Sequence, residues 1–461
     1  MAFPRRHVTG CLLILFLILT ALPEAYAIPA FARKYGLRCS ACHEAWPMLN
    51  YFGQKFKDNG YQLMNDRDSP VWQNPSYWPA TLRITPFWHR ESTDKVAVDS
   101  VTGNGASATV ERQLTYHGFD YSGLDILTAG TLEKNVSFLL VPSSDETGAF
   151  HMESVNVRLD NLLHSPWLNV KMGKFELDNI ISEKRILTLS PNGGGYQMYH
   201  FIPQGDANIF GQIGDNQLGL EWMGHSANDR TRLSAALLST TDGNPDLSYG
   251  RGAYSGFFAA SQAFDLGKLG VDRIGGYAMV GQAPTSYLTL AGQPIPSSGL
   301  GYHSFHREGF NGLFYFGKLD FLVMTQHGWD DAWFGQGYGD LIDGVATLNN
   351  IPGTSFLPAT ARAPTWNSYM VETHWVQNPQ LIFIQRSEWD RMSQQPSSTF
   401  PSNFGDIDNY VFGLRWYPIM NPRAGFAIHN EYAWLRQRGT APVSGTDVTS
   451  SSVMIGFDFD F

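Results

Sequence analysis

From about Ala80 to the C-terminus, apolar and polar positions alternate in short runs. The stretch "SVNVRLDN" sets Val155, Val157 and Leu159 against Asn156, Arg158 and Asp160. "WLNVKMGK" sets Leu168, Val170 and Met172 against Asn169 and Lys171. In "YVFGLRWY", Tyr410, Phe412, Leu414 and Trp416 oppose Val411, Gly413 and Arg415. In "GFAIHNEYAW", Phe426, Ile428, Tyr432 and Trp434 oppose Ala427, His429 and Glu431. Successive side chains of a strand point to opposite faces, so a period of two predicts strands with one apolar face. "SSVMIGFDFDF" is the clearest case, with Val453, Ile455, Phe457, Phe459 and Phe461 opposite Asp458 and Asp460.

A soluble sheet does not leave such an aromatic row uncovered beside a chain terminus. A terminal Phe closing an alternating strand resembles the assembly signal of bacterial outer-membrane barrels. The connections agree. Short turns fall near Lys134-Asn135, 162–166, 226–230, 267–270, Gly317-Lys318, Asn378-Pro379 and 419–422. Between them lie longer polar or Gly-rich stretches at 91–112, 142–149, 176–213, 241–252, 284–303, 330–364, 393–406 and 438–447. Transmembrane barrels alternate in this way, with short periplasmic turns and long outer loops. The fold expected for 80–461 is an all-β, porin-like transmembrane barrel of about sixteen antiparallel strands, both termini periplasmic. Closure is obligatory in lipid, where an open edge would strand unpaired backbone groups. Aromatic residues, 14% of the chain, suit two interfacial girdles. Arg158, Lys171, Arg415, His429 and Glu431 face inward in this scheme. The stretch 176–213 is long enough to fold inward as a constriction. Asp330-Asp331 and "GYGDLIDG" at 337–344 read as solvated loops with the option of an external cation.

The N-terminus adds a second part. Arg5, Arg6 and His7 precede the apolar run Leu12 to Leu19, and Ala25-Tyr26-Ala27 offers a small-x-small cleavage site. These are the parts of a secretory signal peptide over 1–27, cleaved before Ile28. The full chain has a formal net charge of −10. Loss of Arg5, Arg6 and Glu24 with the peptide makes it one unit more negative. With no basic block and no nucleic-acid motif, nucleic acid is a poor partner and none is expected.

After cleavage only Cys39 and Cys42 remain, with His43 directly behind them. Such a pair has three readings. A disulfide would close a loop too small to stabilise a long chain much. A redox dithiol belongs at a strand–helix junction of a βαβ unit, which this region lacks. Cys-x-x-Cys-His is the attachment motif of a c-type haem, in which both thiols form thioethers and the histidine reaches the iron. The spacing favours the third reading, one covalent haem c on Cys39, Cys42 and His43, within a small helical domain over 28–79. "EAWPMLNYFGQKFKDNGYQLM" follows, with Pro47 placed to open a helix and Asn59-Gly60 placed to close it. Met48, Leu49, Phe52 and Phe56 would share one face, against a haem or against the barrel. Met64 is the leading candidate for the sixth iron ligand, with Met48 and His89 as rivals. Arg33, Lys34 and Arg38 are either propionate partners or solvated charge.

Residues 28–63, "IPAFARKYGLRCSACHEAWPMLNYFGQKFKDNGYQL", resemble the haem segment of fused outer-membrane monohaem cytochrome c–porins of iron-oxidising and extracellular electron-transfer bacteria. The matching pieces are Pro29, Phe31-Ala32-Arg33, Gly36, Cys39, Cys42-His43, Pro47, Leu49, Phe52-Gly53, Phe56-Lys57 and Gly60-Tyr61. Over the barrel the similarity is one of architecture. The resemblance implies one haem joined to a porin, passing electrons between an extracellular redox-active metal or mineral and a periplasmic cytochrome or other carrier. Fe(II) oxidation is the enzymatic activity it raises. Lys34-Tyr35 depart from the Gln-Thr of iron-oxidising members, which weakens Fe(II) as the donor. A haem at one mouth of a band about 25 Å tall could not serve the other side, so the small domain is expected partly inside the lumen as a plug. Three functions compete: an electron conduit, a transport porin with an accessory haem, and a peroxidase-like haem enzyme.

Overall fold

Backbone N–H and C=O groups in a bilayer need partners within the chain, and for strands only a closed ring supplies them all. In the computed structural model sixteen strands form one closed antiparallel barrel. The structure describes residues 30–37, 39–45, 48–63, 68–73, 80–101, 107–144, 147–183, 188–200, 213–214, 216–239, 254–284, 289–290, 293–294, 302–331, 362–393, 405–420 and 425–460. The strands are β1 (Ala80–Val101), β2 (Ser107–Glu133), β3 (Val136–Ser144) and β4 (Phe150–Leu159). β5 (Asn169–Phe175), β6 (Gln217–His225), β7 (Thr231–Ser239) and β8 (Tyr254–Asp265) follow. Then come β9 (Val271–Pro284), β10 (Tyr302–Phe316), β11 (Leu319–Asp330) and β12 (Thr365–Asn378). β13 (Leu381–Met392), β14 (Ile407–Met420), β15 (Gly425–Gln437) and β16 (Val448–Asp460) complete the ring. β16 closes on β1, with Asp460 opposite Arg83 and Val453 opposite Arg90.

The period of two sorts the side chains as expected. Val155, Val157, Met172, Phe412, Phe457 and Phe459 are exposed on the outside, and Phe310 is 71% exposed. An apolar surface this continuous is a lipid-facing belt. Among the described residues no helix is long and apolar enough to cross a membrane, so the crossing is made by strands. The fold is therefore that of a porin-like outer-membrane barrel. Phe461 lies outside the described residues.

Two of the expected loops differ. The stretch 91–112 reads as a long loop, yet β1 runs to Val101 and pairs with β2 through Val98↔Val110 and Val101↔Ser107. Ladder hydrogen bonds come from the backbone, so polar side chains do not end a strand that has left the lipid. Asp330 is also not a solvated loop carboxylate. It is fully buried on β11, 2.7 Å from Arg307 Nη1. The stretch 337–344 lies outside the described residues.

Inward-facing Arg158, Lys171, Arg415, His429 and Glu431 are buried instead of lining water. Part of the reason is the connection after β5, whose described residues 176–183 and 188–200 fold into the lumen. Leu177, Ile181, Tyr196, Met198 and Tyr199 pack with Phe257, Met279, Phe305 and Met324 of the inner wall. Leu189 and Ser190 donate their N–H groups to Glu431 at 2.9 and 3.1 Å. Arg386 Nη2 donates to the Gly193 and Gly195 carbonyls at 2.6 and 3.0 Å, and Gln326 Nε2 to the Met198 carbonyl at 2.6 Å. A connection rooted after β5 is thus held by β11, β13 and β15 on the opposite wall.

Candidate functional site

The cysteine–histidine segment is built from three helices. α1 spans Ala30–Tyr35, α2 spans Cys39–Cys42 and α3 spans Tyr51–Asp58. Cys39 and Cys42 begin and end the single turn of α2, and His43 follows at once. His43–Ala45 then pairs with Met48–Leu49 in a short ladder, Ala45 opposite Met48.

α3 starts later than Pro47 would place it. Asn50 is its N-cap, with Oδ1 accepting from the Gly53 N–H at 2.9 Å. A side-chain oxygen there satisfies one of the donors a helix start leaves unpaired. Pro47 lies outside the described residues. The C-terminus is as expected, with Asn59 bonding back to Lys55 and Gly60 at φ +68. The four apolar residues do not share one face. Met48 and Leu49 belong to the ladder, Phe56 is buried, and Phe52 is 41% exposed. Phe56 packs edge-on against Phe31 and Tyr35 at ring distances of 5.1 and 5.5 Å.

α3 is pinned to α2 by backbone. The Asn50 N–H donates to the Cys42 carbonyl at 2.9 Å, and Asn50 Nδ2 to that of Ala41 at 3.1 Å. Gly53 lies against the same Cys42 carbonyl so closely that any Cβ would overlap it. Gly53→Ala should therefore push α3 off the cysteine turn, costing about 1–3 kcal/mol as overpacking does. Limited proteolysis should then cut within 51–58 faster than in the wild type, and an unchanged rate would show that this contact does not matter.

The segment lies across the barrel end that carries the short turns. Tyr51 Oη donates to the Asn228 carbonyl at 3.1 Å, in the turn between β6 and β7. The Asn135 N–H donates to Gln62 Oε1 at 3.2 Å, in the turn between β2 and β3. Lys57 pairs with Glu176 at 2.8 Å. Arg158 donates to the Lys57 and Asp58 carbonyls that end α3 while pairing with Asp160 at 2.5 Å. Arg232 bridges Asp58 and Asp229. On the far side, Ala45 and the fully buried Met48 pack on Ile382 and Ile384 of β13.

Two thiols and an imidazole on one turn are the donor set that a covalent haem would need, and the state of Cys42 speaks against a redox dithiol. Cys42 forms no disulfide, and burial pushes its thiol up to about 11. Redox-active cysteines have the opposite tendency, a depressed thiol pKa. A cavity of about 260 Å³ lies between α3 and the inward connection, lined by Tyr51, Gln54, Lys57, Asn179, Arg232 and Arg273 among others. Its lining mixes these polar groups with Leu49, Leu177, Ile181 and Leu313, and its volume falls below the roughly 300–1,000 Å³ of small-molecule sites, too small for a macrocycle. Phe52 of α3 is exposed, and Cys42 and His43 are partly buried.

The other named residues are dispersed. Met48 is committed to its core cluster. His89 sits well along β1, its Nδ1 2.6 Å from Glu91 and its ring edge-on to Phe87 and Tyr116. Met64 lies outside the described residues. Lys34 is neither free charge nor at the cysteine turn, since its Nζ donates to the Ser69 carbonyl and Thr131 Oγ1 at 2.6 and 3.0 Å. The side chains of Cys39, Arg33 and Arg38 also lie outside the described residues. The latches Arg158 and Arg232 escaped sequence reading as a site because parity alone makes them lumen residues. Nothing local marks a helix end as their partner.

No family model matches the chain, and no curated protein matches it. Solved barrels do resemble it. The anion-selective porin from Comamonas acidovorans aligns at 10% identity and a TM-score of 0.49, over 83% of this chain and 99% of the porin. The outer membrane channel DcaP of Acinetobacter baumannii aligns at 9% identity and a TM-score of 0.47, over 83% of this chain and 97% of the channel.

Proposed function

We propose that this outer-membrane barrel carries one covalent c-type haem on Cys39, Cys42 and His43 and passes single electrons across the membrane. The observation that carries the reading is the Cys-x-x-Cys-His turn, fastened by Arg158, Arg232 and Lys57 into the mouth of a barrel. A haem there supplies one-electron exchange, while the protein sets its position and potential. The chain's own residues do the rest. Asn50 and Gly53 hold the cysteine turn on α3. Phe52 offers apolar cover. The inward connection narrows the lumen. A periplasmic cytochrome is the partner on the short-turn side, and because a haem at this mouth cannot itself span a belt about 25 Å tall, an extracellular redox-active metal ion reaches it through the narrowed lumen. Met64 is the sixth ligand in this scheme, since Met48 and His89 are engaged elsewhere. Met64→Ala should alter the axial ligation, read as carbon monoxide binding to the reduced haem, where His89→Ala leaves it unchanged. The reverse pattern would move the ligand to His89.

The fold itself favours a second reading, a transport porin whose haem is accessory. Sixteen-stranded porins leave an aqueous channel, and an inward connection narrows such a channel without having to close it. Reconstitution into liposomes separates the two. An electron conduit reduces an enclosed acceptor from an outside donor, depends on His43, and passes little solute. A transport porin gives solute flux that survives His43→Ala and no electron transfer.

A further inference from the structure

We propose that His306, Glu308 and His327 form a binding site for a divalent first-row transition metal on the outer face of the barrel. The site is independent of the haem segment. The register of β10 on β11 sets Glu308 opposite His327 and His306 opposite Trp329. His306 and Glu308 are two apart on one strand, so they share the outward face with His327. One ligand atom from each lies within 4.8 Å of the other two. His306 Nε2 is 3.6 Å from Glu308 Oε2. Metal–ligand bonds of 2.0–2.2 Å set ligand atoms about 3.3 Å apart, so small side-chain rotations complete the site.

The surroundings prepare the imidazoles. His327 Nδ1 lies 3.0 Å from Asn367 Oδ1 on β12, which leaves Nε2 to face the metal. A ligating histidine whose other nitrogen is held by an oxygen acceptor is oriented and made more basic. The His306 ring stacks on Trp329 at 5.2 Å and an interplanar angle of 11°, which fixes its plane. Two imidazoles and one carboxylate suit zinc, copper, nickel or iron(II) better than calcium or magnesium, which prefer oxygen alone.

The position along the barrel explains why a carboxylate can stand on a lipid-facing surface. Phe316 and Leu319 flank the short turn, and the outward side chains above them include Val323 and Phe310. A strand crosses the bilayer in about 9–11 residues, which puts Glu308 and His327 at the extracellular edge of the belt. A metal held by three side chains there keeps coordination positions open to water or to headgroup oxygens.

The test is titration of untagged, detergent-solubilised full-length protein with Zn2+ alone, followed by isothermal calorimetry. One saturable site is expected. His306→Ala and His327→Ala should each weaken it at least tenfold, and the double variant should abolish it. Asn367→Ala should weaken it by about 10-fold, because it removes the oxygen that orients the His327 ring. A hundredfold excess of Mg2+ should not displace the zinc. Equal Zn2+ uptake by the wild type and the double variant would overturn the proposal, as would displacement by Mg2+. Both histidines are outward and partly exposed, so heat-modifiable gel mobility is expected to show that the variants fold.

Discussion

On the proposed haem reading, Cys39→Ala with Cys42→Ala should yield a barrel with no covalent haem. On a denaturing gel the wild type should stain for haem and the variant should not, because only thioethers survive denaturation. The barrel should still assemble, because each strand is paired on both sides within 80–460 and no ladder of the ring includes residues 39–43. Heat-modifiable mobility checks that. Cys39→Ala alone leaves one thiol and should leave a reduced, singly attached product. A wild-type protein without haem stain, produced alongside a working haem-attachment system, would sink the electron-transfer reading and leave a transport barrel. His43→Ala should differ from both, keeping the covalent stain while changing the spectrum, since on the same reading it removes a ligand and not an attachment.

Arg158→Ala combined with Arg232→Ala should release α3 from the barrel mouth. Both guanidinium groups are nearly buried, with side-chain exposures of 8%. Arg158 serves the carbonyl end of α3, where a helix carries partial negative charge and cations are favoured. It also neutralises Asp160, and Arg232 neutralises both Asp58 and Asp229. Removing one partner of a buried pair costs about 3–5 kcal/mol, because the remaining charge stays buried and uncompensated. The docked state should therefore lose several kcal/mol. Limited proteolysis from the short-turn side should cut residues 30–73 at least a hundredfold faster than in the wild type. Arg158→Lys should rescue only partly, since an ammonium cannot reproduce the guanidinium fork. Equal cleavage rates for the wild type and the double variant would show that the latch does not hold the segment.

Much of the barrel was legible before any coordinates. The face assignment of Asn156, Arg158, Lys171, Arg415, His429 and Glu431 follows from a period of two, and a strand offers no other choice. The short turns at Lys134-Asn135 and Gly317-Lys318 carry the turn residues their geometry demands, with Asn135 at φ 62 and Gly317 at φ 68. Strand ends were less legible. The ladder continues past the last apolar residue, as β1 and β2 show by extending through 91–112.

The cysteine turn was visible as a motif because its chemistry is local: two thiols and an imidazole within five residues. What holds that turn was not visible. Gly53 on the Cys42 carbonyl depends on how α3 turns back on α2, and Arg158 on the end of α3 is a contact between residues about a hundred apart. The filling of the lumen was foreseeable only as a length. That Tyr196 and Met198 would meet Phe257 and Met324 depends on which inner-wall positions are apolar, a pattern that reads as two-sided strands until the connection is placed. His306, Glu308 and His327 lie in two strands that alternate like the others, and only the register of β10 on β11 brings them together. Alternation determines what each side chain faces, because it is a property of a single strand. Which side chains meet depends on register and loop closure, which only the folded ring decides.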